Sequence, residues 1–326
     1  TQKDLTITGG TVKISASDLN ITNGTTNNAT LNLLTGTLAA TQTITGTGTT
    51  KVESGNTVTT NATINQKTIS NAGTWTVLNN LTASDGITNT GTQNFGDSSH
   101  TSGAGYLKST LTNTGTATIY GGTLANEITT TSSSRGTLYL GYNPTINANV
   151  TQNEVHTTSN VTNNAAMDVH TLLSLEATSG SVFTNNATVK TKGLTLSAAT
   201  TGTNIFRNAV GGTLTTTGTI TNNGEINNLG TINVEGTTSL GTITGTGTLH
   251  TTTGSSSAAV TVDKAITQAI VQNHYGYLYV NAELNAPDIR NISSKGISGN
   301  ASYLHGNVNN TGTVTFSSGT FGAAYT

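Results

Sequence analysis

The sequence predicts an all-β fold, a parallel β-helix or β-solenoid wound in coils of about 18–21 residues, and three observations carry that prediction. Short apolar pairs recur every six or seven residues, glycine and asparagine sit between them, and threonine fills most of what remains. In "ITNNGEINNLGTINVEG" the isoleucines Ile220, Ile226 and Ile232 fall six apart, in step with Gly218, Gly224, Gly230 and Gly236. An α-helix repeats near 3.6 residues and a simple meander needs longer strands, so neither accounts for a beat of six.

The beat begins at the start of the chain. "LTIT", "VKIS" and "LNIT" place apolar pairs at Leu5/Ile7, Val12/Ile14 and Leu19/Ile21, each pair a short strand with alternating faces, separated by turn residues. A second form of the unit is Asn or Thr, any residue, Gly, Thr, then an apolar residue. It stands at 71–77 ("NAGTWTV"), 113–120 ("NTGTATIY"), 216–221 ("TTGTIT"), 228–234 ("NLGTINV") and 310–316 ("NTGTVTF"). Asn and Gly tolerate the left-handed backbone that a sharp corner demands, and the Thr and apolar residue after them open the next strand. Three such segments close a coil. Stacked at ~4.8 Å, some 16 coils make a rod of roughly 75 Å.

Composition agrees with an elongated repeat. Charged residues are 8% and aromatics 5% of the 326 residues, against roughly a quarter charged in average domains. Two prolines, a formal charge of −2 and abundant Thr, Val and Ile argue against disorder. On each strand Ile, Leu, Val and Ala enter a narrow core and Thr faces water, its branched carbon suited to the strand and its hydroxyl to solvent. Asparagines aligned in successive coils are expected to form amide ladders. Residues 1–326 read as a single solenoid domain, loop-like near 129–136 and irregular over 251–305, where "KAITQAIVQN" places Ala265, Ile266, Ala269 and Ile270 at the spacing of a short helix.

Several function classes are disfavoured. With no cysteine, neither disulfides nor thiolate metal sites hold the fold. The 12 basic residues are scattered, which gives nucleic acid no stripe to track, and no apolar run reaches the ~18 residues that span a bilayer. No cofactor and no metal site is expected: the histidines His100, His156, His250, His274 and His305 lie far apart in sequence, and Gly-Gly-x-Gly-x-Asp nonapeptides are absent. "GTGTT" (46–50) and "GTGTLH" (245–250) lack the Lys-Ser/Thr ending of a phosphate loop. Nor do the 14 acidic residues form the paired carboxylates of a polysaccharide-degrading β-helix enzyme. Asp168 and His170 in "MDVH" share a strand face, but no nucleophile is signalled beside them, so the chain is expected not to be an enzyme. Trp75 reads as a core residue. Tyr275, Tyr277 and Tyr279 alternate and are expected to project from one face, either as a contact patch for sugar or protein or as ordinary packing beneath a loop.

"ITNNGEINNLGTINV", "LTNTGTATIYGGTL" and "VNNTGTVTFSSGTF" resemble the passenger regions of bacterial type V secreted proteins, the autotransporters and filamentous-haemagglutinin-like exoproteins. The resemblance implies a right-handed β-helix on, or released from, a Gram-negative surface. It implies adhesion, self-association or biofilm formation, with the chain itself and the glycans or proteins of host or neighbouring cells as partners. A membrane β-barrel and a secretion cap are family features missing here; the tail "FSSGTFGAAYT" is expected to hold one strand at most. A start at Thr1 without Met suggests a processed, exported fragment, and an uncapped coil, whose open edge can pair with another chain, also fits a filament subunit built end to end. An alternative of a different class is ice binding through Thr-x-Thr columns. "TQTITGTGTT" (41–50) and "TLTTTGTIT" (213–221) supply the triplets, though without one fixed coil length.

Overall fold

The structure, a computed structural model, describes residues 2–319. It is a β-solenoid of parallel strands with about 19 residues per turn. Contacts group the chain into two compact units, Thr1–His156 and Thr157–Thr326.

In the first unit three short strands and three corners make one coil. Thr63–Gln66, Thr68–Asn71 and Thr74–Val77 tile three faces in turn, and Leu81–Ala83 then lies over Thr63–Gln66. Inward residues stack from coil to coil in three columns. The first holds Ile44, Ile64 and Leu81. The second holds Leu31, Thr50, Ile69, Ile87, Leu111 and Ile128. The third holds Val58, Trp75, Gln93, Ala117 and Leu138. All are buried, and each large apolar side chain so placed contributes about 1.5–3 kcal/mol relative to exposure. Trp75 is a core residue whose Nε1 donates to Thr60 Oγ1 at 3.1 Å.

Coil length varies without loss of register. From Leu31 to Thr50 to Ile69 the step is 19 residues, whereas Ile87 to Leu111 takes 24. The longer step accommodates the 3-10 turn Gly103–Tyr106, which bulges from a corner. A corner insertion leaves the strands on either side paired, as expected where each rung meets only its neighbours.

The second unit repeats the plan. Val161, Phe183, Phe206, Ile226, Ile243, Ile266, Leu284 and Leu304 form one inner column. Val189, Leu214, Ile232, Leu249, Val271 and Ile289 form a second, and Val260, Leu278 and Ile297 lie in a third. Phe183 and Phe206 stack at 5.4 Å with planes 9° apart. Ile226 and Ile232 stand on successive faces of one coil, so the six-residue beat counts faces. The helix expected in "KAITQAIVQN" is absent: Ile266–Thr267 and Ile270–Asn273 are strands on adjacent faces. Ala265/Ile266 and Ala269/Ile270 are four apart because one corner separates two rungs, a spacing that also fits a helix. Residues 252–258 are a loop, but 259–300 hold six paired strands rather than an irregular stretch. Residues 130–136 carry no strand. The tail strand is Val314–Ser318, and the rest of the tail, from 320 onward, lies outside the described residues.

Two devices hold the corners. Buried asparagines form the expected ladders: Asn71 Nδ2 donates to Asn89 Oδ1 (2.9 Å) and Asn113 Nδ2 to Gln152 Oε1 (2.6 Å). In the second unit Asn163, Asn185, Asn208 and Asn228 hand the same bond along at 2.9–3.0 Å, and Gln268 receives the last at 2.6 Å. The glycines of the Asn-x-Gly corners act differently from the sequence expectation. Gly73, Gly91 and Gly115 do not have positive φ, and the only non-glycine residues that do are Tyr142, Asn143 and Thr252 among the described residues. A Cβ on Gly91 would lie well inside contact distance of the Gly73 carbonyl, and one on Gly115 would meet the Gly91 carbonyl likewise. Close stacking, not left-handed backbone, excludes a side chain there.

Candidate functional site

The tyrosines lie in the third sheet of the second unit. Strand Tyr277–Val280 buries Leu278 and Val280 and so points Tyr277 and Tyr279 outward. Their rings are parallel, 5.8 Å apart with 4° between planes. Small residues occupy the adjoining coils, with Ala259 and Gly296 on either side of Tyr277, and Thr261 and Ser298 on either side of Tyr279. The paired positions in the adjoining coils therefore leave both rings uncovered. Lys295 Nζ stands 5.9 Å from the Tyr277 ring, a cation–π arrangement. Tyr279 is 38% exposed.

Tyr275 does not belong to the alternation. It sits in the corner before the strand, 54% exposed, its backbone N–H donating to Thr252 Oγ1 at 3.0 Å. Its ring lies 5.9 Å from that of His274, which in turn meets His250 at 4.9 Å. The coil therefore brings together two histidines that the sequence holds 24 residues apart, roughly one coil plus a corner. Burial lowers both pKa values from the ordinary 6.5, and for His250 the nearby His274 and Arg290 lower it further.

Asp168 and His170 share the outward face of strand Met167–Leu175, beside a shallow depression that Lys190, Lys192 and Thr217 also line. Asp168 is paired in the next coil with Lys190, so the carboxylate's neighbour is a cation and not a second acid. The other histidines are dispersed: His100 against Asp97 (2.9 Å), His156 against Glu154 (3.3 Å) and stacked on Tyr139 (4.9 Å), His305 against Glu283 (3.5 Å). Among the described residues no three His, Asp or Glu side chains gather as metal ligands, and no helix is long and apolar enough to cross a membrane.

A second surface lies in the first unit. On its third face the outward residues of Thr57–Thr60, Thr74–Val77, Thr92–Phe95, Thr116–Tyr120 and Thr137–Gly141 form two columns. One reads Thr57, Thr74, Thr92, Thr116, Thr137, and the other Thr59, Thr76, Asn94, Thr118, Tyr139. The successive steps are 17, 18, 24 and 21 residues, so sequence spacing conceals columns that the corners bring into line. No protein-family model, curated protein or solved structure matches this chain, and its function is read from these surfaces.

Proposed function

We propose that this chain is a non-catalytic, exported bacterial surface protein that adheres to neighbouring surfaces and to copies of itself, as its resemblance to type V passengers suggests. The observation that carries the reading is the parallel Tyr277–Tyr279 pair, held on a rigid sheet and flanked by small residues. Flat aromatic faces backed by a buried strand lose little side-chain entropy on contact and suit the apolar face of a sugar ring or a protein surface. Tyr275 widens the patch from the adjoining corner. Contacts of this kind are weak one at a time, and many chains on a cell surface multiply them into firm attachment.

A glycan array probed with the purified chain tests the reading, together with aggregation of beads that display it. Wild-type chain is expected to retain a set of glycans and to clump beads, and Tyr277→Ala with Tyr279→Ala to lose retention with an unchanged circular dichroism spectrum. Neither retention nor clumping by the wild type, or undiminished retention by the double variant, would overturn it.

A further inference from the structure

The threonine face of the first unit is regular in two directions. Along each strand its outward residues are two apart, roughly 6.6 Å, and from coil to coil they repeat at ~4.8 Å. Parallel pairing runs residue for residue over five coils without a register shift, and Thr37 extends the second column by one more through its pairing with Thr59. The intervening residues Val58, Trp75, Gln93, Ala117 and Leu138 are fully buried, which prevents the strands from turning. Threonine is stiff at χ1, so each hydroxyl and methyl keeps its position.

Two further facts bear on the ligand. The side-chain hydroxyls of Thr57, Thr74, Thr92, Thr116, Thr118 and Thr137 make no hydrogen bond within the protein among the described residues; Thr76 Oγ1 accepts one, from Asn94 Nδ2 at 3.4 Å. Both columns are also free of charge. The equivalent face of the second unit is not, since the columns beginning at Thr188 and Lys190 run on through His250, Asp288 and Arg290. A charged side chain holds its own hydration shell and breaks a regular water layer. A glycan or peptide repeats along one direction only, whereas a neutral grid of threonine hydroxyls and methyls, unbroken in the first column and interrupted in the second by Asn94 and Tyr139, repeats in two and matches a crystalline layer of water.

We infer that this face binds ice: the hydroxyls fix waters of the first layer, and the methyls seat the cages between them. The inference goes beyond the adhesive reading and uses a different unit and different residues.

The test is thermal hysteresis and ice recrystallisation of the full chain, with far-UV circular dichroism to report folding. Wild-type chain is expected to facet ice and slow recrystallisation. Thr76→Lys and Thr118→Lys should lose this to the level of buffer with an unchanged spectrum, while Thr215→Lys, the same change on the charged face, should retain it. Should the lysine variants fail to fold, Thr76→Ser and Thr118→Ser, which remove only methyls, should weaken the activity and leave the fold intact. Absence of activity in the wild type, full activity in a folded Thr76→Lys or in the serine variants, or equal loss in Thr215→Lys would overturn the inference. Tyr279→Ala is expected to leave ice activity unchanged, which separates this outcome from that of the adhesive reading.

Discussion

Asn89 Nδ2 donates to Asn113 Oδ1 at 2.7 Å, and both side chains are fully buried between coils. The same Nδ2 also lies 2.9 Å from the Thr116 carbonyl, so one amide ties its coil to both the side chain and the backbone of the next. A buried amide is favourable only while every partner is present, and this ladder supplies them from the repeat itself.

Removal of one rung should therefore cost more than its own bonds. Asn89→Ala takes from Asn71 one of its two acceptors, leaving only the Thr92 carbonyl, and from Asn113 Oδ1 the Asn89 donor, and the expected loss is about 2–3 kcal/mol. Asn223→Ala, at an exposed corner, should stay within about 0.5 kcal/mol. Urea unfolding of the two variants, monitored by the fluorescence of the single tryptophan and by circular dichroism, compares them; equal midpoints would show that the ladder adds nothing.

Gly91→Ala should be as damaging, for a steric reason. Its Cβ would enter the space of the Gly73 carbonyl, a backbone atom that cannot swing aside, so the coils must part locally. Gly105→Ala, which meets nothing within 4 Å, is the matched control and should be near neutral. Amide exchange over 68–95 is expected to quicken in the first variant and not in the second. Slow exchange in Gly91→Ala would remove close stacking as the reason for glycine.

The legibility of the fold in the sequence depends on the features that a coil averages out. The six-residue beat at Ile220, Ile226 and Ile232 exposes the number of faces, because every face needs one inward apolar residue whatever the loops do. The Asn ladder is legible for the same reason. Concealed are features that depend on alignment between coils of unequal length: the Thr57–Thr137 column, and the meeting of His250 with His274. The helix expected at 264–273 shows the opposite error, in which local spacing fits two architectures and only pairing with Ile243 and Leu249 decides between them. Glycine at 73, 91 and 115 reads as a corner residue, but its cause, a carbonyl in the coil beneath, has no local signature.

Thr50 offers a substitution in the stabilising direction. Its side chain is fully buried between Leu31 and Ile69, and Oγ1 has no hydrogen-bond partner. Thr50→Val replaces that hydroxyl by a methyl of like shape, ending an uncompensated desolvation, and should stabilise the first unit by about 1 kcal/mol. A midpoint unchanged or lowered in urea would mean that the hydroxyl is satisfied in solution.

Acid should loosen the coils around His250 before it affects the rest. The folded state lowers the pKa of both His250 and His274 below 6.5, by burial first and, at His250, by the neighbouring His274 and Arg290. His274 Nε2 is buried with no partner, and a proton placed there would be a donor without an acceptor. Below about pH 6.5 the unfolded chain thus binds more protons than the folded one, so stability falls with pH. The contribution is complete above pH 6.5 and disappears as pH drops through the lowered folded values. Glu53 acts lower: Lys51 and Lys13, ion-paired with its carboxylate, hold its pKa at about 2, so its contribution is lost only as pH falls from 4.5 towards 2. Between about pH 7.5 and 5.5 the two histidines are thereby separated from the carboxylates. Over that range amide exchange relative to its intrinsic rate at each pH is expected to rise selectively at 248–251 and 270–274, and less so in His274→Gln, whose side chain does not titrate. A uniform rise along the chain, or an unaltered response in His274→Gln, would assign the acid sensitivity elsewhere.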